Sequence, residues 1–147
     1  MAHISPGAIV DKTTCLCYNV TIGPGCIIGP EVVIGPGCEL RSNVLVCKGT
    51  TIGANNRIFH GAVLGEEPQN VGEVDPPTHL TLGDNNVIRE YVTIHRGSPG
   101  GGGKTNIGNK NFIMAYCHIG HDCQLGNNIG MTNSCQLSGH VKLEDNV

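Results

Sequence analysis

The residues able to do chemistry cluster in the second half of this chain: His95 and Arg96, His118, His121 followed at once by Asp122, and Gly139 followed by His140. A carboxylate beside an imidazole selects one ring tautomer and leaves the other nitrogen free to take a proton. A guanidinium and a bare glycine amide can each hold negative charge that develops in a reaction. Any one of these histidines, alone at a turn, reads as a solvated side chain. Their meaning therefore depends on whether the fold brings them together.

The elements that must position them repeat every six residues. Ile4, Val10, Leu16, Ile22, Ile28, Ile34, Leu40, Val46, Ile52, Ile58 and Leu64 keep strict phase. The phase returns at Leu82, Ile88 and Ile94, and again from Ile107 through Ile113, Ile119, Leu125, Met131 and Leu137 to Leu143. A helix repeats near 3.6 residues and an amphipathic strand near 2, so neither explains a period of six. The hexad predicts an all-β parallel β-helix of about seven coils, with three short strands per coil. Four places after many of these aliphatics stands a small or compact residue, such as Cys26, Val32, Cys38, Ala62, Cys117 or Cys123. A narrow prism needs such a partner beside each large inward side chain. Glycine often follows the aliphatic directly (Gly23, Gly35, Gly53), where glycine and nearby asparagine are expected to supply corner dihedrals.

Two interruptions break the rhythm, Gly65 to Thr81 and His95 to Asn106. Insertions in a solenoid leave from one face and mark its binding side. Counting hexads puts Leu64, Ile94 and Ile119 on one face, so both loops leave the corner at which His121 stands. Coils lie ~4.8 Å apart. Register then predicts a column of Arg96, His121 and Gly139, flanked by His95, Asp122 and His140. The glycine run at 100–103 is expected to be a mobile loop; it lacks the strand-then-helix context of a phosphate-binding loop.

Composition narrows the function classes. The 147 residues, with 22 Gly, 2 Phe, 3 Tyr and no Trp, suit one domain of stacked aliphatic ladders over residues 1–147. The net charge of −3 and the lack of a basic run argue against nucleic acid. No signal peptide or membrane-inserting stretch is evident. Of the eight cysteines, Cys26, Cys38, Cys117, Cys123 and Cys135 fall on the small inward position, and no CxxC pair exists. Reduced structural thiols and a cytoplasmic chain are expected, with no metal and no cofactor.

The strings IREYVTIHRG (Ile88–Gly97), GGGKTNIG (Gly101–Gly108), CHIGHDCQLG (Cys117–Gly126) and LSGHV (Leu137–Val141) closely resemble the UDP-N-acetylglucosamine O-acyltransferases that start lipid A synthesis in Gram-negative bacteria. The resemblance covers essentially the whole chain, both loops included. It implies a left-handed parallel β-helix, a handedness opposed to the usual right-handed crossover of parallel strands, and a homotrimer with active sites between subunits. By the same resemblance His121 is the general base on the sugar 3-hydroxyl, which attacks an acyl thioester carried on acyl carrier protein. Asp122 holds the imidazole, and the Gly139 N–H stabilises the oxyanion. His118, His140 and Gln69 match substrate-contacting positions, and His95 and Arg96 join them as binding candidates.

The departures also matter. Asn70 and Gly72 stand where the family usually carries Asp and Lys, which removes a charge contact to the nucleotide sugar. The chain stops within the hexad LEDNV, short of further coils and a helical C-terminal domain, so a fragment is expected. Three rival readings compete. A zinc lyase of the γ-carbonic anhydrase kind would use His95, His118, His121 and His140. The sister N-acyltransferase of the pathway is disfavoured by hexads that begin at Ile4. The third is a non-catalytic β-helical trimer.

Overall fold

The computed structural model describes residues 1–71 and 77–147. Among the described residues the hexads wind into a left-handed parallel β-helix of three seven-stranded sheets, seven coils in all. Most strands are two residues long, and each pairs in parallel with the strand one coil away. The register joins like to like: Ile4 with Ile22, Leu40 with Ile58, and Ile58 with Ile88 in the first sheet. In the second sheet Leu64 pairs with Ile94 and Ile94 with Ile119, as the hexad count predicts. Among the described residues the helical content is one short 3-10 turn, Pro99–Gly101.

In the two-residue strands the first residue faces outward and the second inward, because side chains alternate across a strand. Ile22, Ile28, Ile34, Leu40, Ile52, Ile58, Leu64, Ile88, Ile94 and Ile113 are thus buried in one axial core with the cysteines and valines of the small position. One part of that core was not anticipated. Asn56, Asn86 and Asn111 occupy the small position in successive coils and form a buried ladder. The Asn86 side chain donates to Asn56 Oδ1 at 3.0 Å, and the Asn86 and Asn111 backbone N–H groups donate to Asn56 Oδ1 and Asn86 Oδ1 at 2.8 and 2.9 Å. Buried amides persist here because every one is satisfied.

The corner chemistry differs from the expectation. The left-handed residue is the third after most inward aliphatics: Asn43, Asn55, Gly61, Asn85 and Asn128, but also Tyr91, Asp122 and His140. The glycine directly after the aliphatic does another job. At Gly35 a Cβ would meet the Gly53 carbonyl carbon at 2.6 Å, so glycine there lets neighbouring coils approach.

The insertions are shorter than the break in rhythm implied. The second-sheet strands run on to Glu66 and His95, and the third-sheet strands resume at His79 and Lys104, where His79 pairs with Lys104 and Leu80 with Thr105. The insertions stack on each other, which extends the ladder into them, and both leave the corner between the second and third sheets.

The core predicts a sharp contrast in denaturant. Ile58→Ala empties a site in mid-prism and should cost about 2–5 kcal/mol in urea unfolding. Thr21→Ala, on the outer face of the same sheet, should stay within about 0.5 kcal/mol. Equal costs would contradict the axial core.

Candidate active site

Asp122 is the third residue after the inward aliphatic Ile119 and turns the corner with φ +62°. Aspartate tolerates this region better than most residues. Its carboxylate is 1% exposed and fully engaged. Oδ2 accepts the Ser98 hydroxyl at 2.6 Å and His121 Nδ1 at 2.7 Å, and Oδ1 accepts the Ser98 backbone N–H at 2.9 Å. The Asp122 N–H itself donates to Thr105 Oγ1 at 2.9 Å. Burial pushes the Asp122 pKa up, but the Ser98 hydroxyl, His121 and the Ser98 amide together outweigh it, and the net shift is downward. The group is a carboxylate.

An ionised carboxylate only accepts, so His121 Nδ1 carries the hydrogen and Nε2 is left as an acceptor. The His121 ring lies against Gly139. A Cβ there would sit 2.5 Å from His121 Cε1 and 2.6 Å from Nε2. Among the described residues the Gly139 N–H donates to no backbone carbonyl or side chain. His140 occupies the next left-handed corner, φ +65°, with its ring perpendicular to His121 at 5.1 Å and Nε2 3.7 Å from Asp122 Oδ2.

A cleft of about 440 Å³ opens over this group, lined by Gln69, His95, His118, His121, Gln136 and Gly139, among others. His118 bonds Thr93 Oγ1 through Nδ1 at 2.8 Å, and its ring meets His95 edge-on at 5.0 Å. Burial, followed by the charge of His118, lowers the His95 pKa; burial, followed by His121, lowers that of His118. Both are therefore held neutral near pH 7.

The expected column holds in part. His121 stacks on Gly139, and His140 stands beside Asp122. Arg96 does not join them. Its N–H donates to the Glu66 carbonyl, and its guanidinium reaches back to the Gly65 carbonyl at 3.2 Å, lining a separate cavity with Lys48 and His79. The strand ladder ends at His95 and the chain turns off at Gly97, so Arg96 is not the register equivalent of His121. The vacated place beside Asp122 goes to Ser98. Asn70 is exposed, and Gly72 lies outside the described residues. Of the rival zinc set, only His121 and His140 stand at ligand spacing, with Asp122 as third donor and all ligand atoms within 4.8 Å. The Asp122 oxygens are already shared between Ser98 and His121, so the donor set is arranged as a hydrogen-bond chain.

Sequence reasoning missed Ser98, Gly101, Thr93 and Gln136. Register could have found Thr93 and Gln136, because Thr93, His118 and Gln136 pair across consecutive coils. Ser98 has no hexad phase and left no such trace. Gly101 packs where a methyl would lie 2.5 Å from Asp122 Cγ and 2.6 Å from His140 Cε1, so this one glycine of the run marks a close approach, whereas Gly100 and Gly102 face open space.

Comparison with known proteins agrees with the hexapeptide β-helix fold. Residues 104–129 match the family described as bacterial transferase hexapeptide (six repeats). The chain is 57% identical over 145 residues to the acyl-[acyl-carrier-protein]–UDP-N-acetylglucosamine O-acyltransferase of Alkalilimnicola ehrlichii, covering 99% of this chain and 56% of that protein. It superposes on the UDP-N-acetylglucosamine acyltransferase of Francisella novicida with TM-score 0.94 and 42% identity, covering 97% of this chain and 52% of that one. LpxA of Acinetobacter baumannii gives TM-score 0.92 and 41% identity, over 95% and 54% of the two chains. The chain thus spans about half the length of the relatives it matches. Over that span, this chain is similar to hexapeptide-repeat acyltransferases in both sequence and fold.

Proposed function

We propose that this chain transfers a 3-hydroxyacyl group from acyl carrier protein to the 3-hydroxyl of UDP-N-acetylglucosamine, the first step of lipid A biosynthesis. The observation that carries the reading is the bond between His121 Nδ1 and Asp122, which leaves Nε2 as an acceptor beside a Gly139 N–H that, among the described residues, has no partner, in an open cleft. The relatives' names supply the two substrates. His121 Nε2 takes the proton of the sugar hydroxyl as its oxygen attacks the thioester carbonyl carbon. The resulting oxyanion accepts the Gly139 N–H, and Asp122 stabilises the imidazolium. Collapse of the tetrahedral intermediate breaks the carbon–sulfur bond, and His121 returns the proton to the departing thiolate. Neutral His95 and His118, with Gln69 and His140, offer donors and acceptors for the sugar. Arg96 is left outside this set by its separate cavity.

The same reading takes residues 1–147 as one domain and the working unit as a homotrimer. The outward column of the second sheet supports the trimer. Ile9, Ile27, Leu45 and Val63 follow one another coil by coil up to Thr93 and His118, and Ile9 and Ile27 are exposed. An aliphatic ladder facing outward beside the cleft fits burial against a second copy. Eight free cysteines suit a reducing cytoplasm. Among the described residues no helix is long and apolar enough to cross a membrane.

Acyl transfer from 3-hydroxyacyl carrier protein to UDP-N-acetylglucosamine should be measurable and should fall about 10²–10⁴-fold in His121→Ala. Undiminished transfer by folded His121→Ala would sink the assignment. Stability should also report the neutral histidines. Because the folded pKa values of His95 and His118 lie below 6.5, their contribution is present above that pH and is lost as pH falls through the lowered values. The urea midpoint should therefore drop between about pH 7 and pH 5, and less steeply in the His95→Gln/His118→Gln double variant. Identical slopes would contradict the neutral state.

A further inference from the structure

Ser98 meets both oxygens of Asp122. Its hydroxyl donates to Oδ2 at 2.6 Å, the oxygen that also accepts His121 Nδ1, and its backbone N–H donates to Oδ1 at 2.9 Å. A carboxylate held by one residue through both oxygens cannot rotate about its Cβ–Cγ bond. The lone pair that orients His121 is therefore aimed by Ser98. Among the described residues the ion-pair partners of Asp122 are His121 and His140 alone, so no lysine or arginine shares this task.

The loop is built to deliver the serine. Its carbonyl accepts the Gly101 and Gly103 N–H groups at 3.1 and 3.0 Å, closing the turn at Pro99–Gly101 back onto Ser98. Gly101 then packs on Asp122 and His140 with no room for a methyl. Ser98 is 4% exposed. Its buried hydroxyl donates a charge-assisted bond, of the class strong enough to set geometry.

We infer that Ser98 is the positioning residue that locks the Asp122 carboxylate and, through it, the His121 imidazole for proton transfer. The consequence for turnover rests on the acyl-transfer reading; the consequence for the imidazole does not.

Two readouts on the intact chain separate these. In the wild type, imidazole ¹⁵N spectra of neutral His121 should show one tautomer, protonated at Nδ1. In Ser98→Ala both tautomers should appear. Turnover should fall about ten- to a hundredfold in kcat, the loss expected for one hydrogen bond to a charged group. KM for the nucleotide sugar should change by less than about twofold, since binding is not what Ser98 serves. Ser98→Thr should restore both the spectrum and kcat. If Ser98→Ala does not fold, Ser98→Cys, a near isostere and poor donor, carries the same expectations. A wild-type tautomer and wild-type kcat in the folded variant would overturn the inference. If the wild-type chain transfers no acyl group while its His121 spectrum still responds to Ser98→Ala, the acyl-transfer reading fails and the positioning stands.

Discussion

Parallel register between successive coils is the constraint on which the rest of this structure depends. An inward aliphatic in one coil sits over an inward aliphatic in the next, so every other position in the hexad is also brought over its equivalent. A one-residue slip would turn the ladder of Ile22, Leu40, Ile58 and Ile88 outward, and burial forbids it. The cleft inherits this precision. His118 follows Thr93 and precedes Gln136 on one outward column, and Gly139 comes to lie beneath His121, because Ile94, Ile119 and Leu137 are held in line.

The corners show how the site was placed on that frame. Most corners, three to a coil, turn through one left-handed residue, often Asn or Gly, three places after the inward aliphatic. Two coils near the cleft give that position to Asp122 and His140. Histidine resists this conformation more than Asn or Gly do. Both corners bring a functional side chain to the same edge, and the second loop covers that edge, with Ser98 and Gly101 against the carboxylate. Strained corners at functional residues are a recurrent pattern.

The spacing of aliphatics made the fold legible almost entirely, because a period of six admits few other architectures. The second-sheet face shared by Leu64, Ile94 and Ile119 and the stacking of His121 on Gly139 follow from counting alone. The count failed where the chain leaves register. Arg96 stands two places after Ile94, as His121 does after Ile119, but its coil breaks at Gly97, and loop backbone then decides where side chains go. Ser98 was invisible for the same reason. The Asn56–Asn86–Asn111 ladder was hidden differently: asparagine at an inward position reads as surface until its partners are known to stack on it. The handedness of the helix is not encoded in the period at all.

The most direct test of the central claim is a structure of this chain with UDP-N-acetylglucosamine bound. The account predicts the sugar 3-hydroxyl oxygen within hydrogen-bond reach of His121 Nε2, about 2.6–3.2 Å, with the Gly139 N–H facing the side from which the thioester must approach. A bound sugar whose 3-hydroxyl lies away from His121, with that imidazole meeting only the diphosphate or solvent, would contradict it.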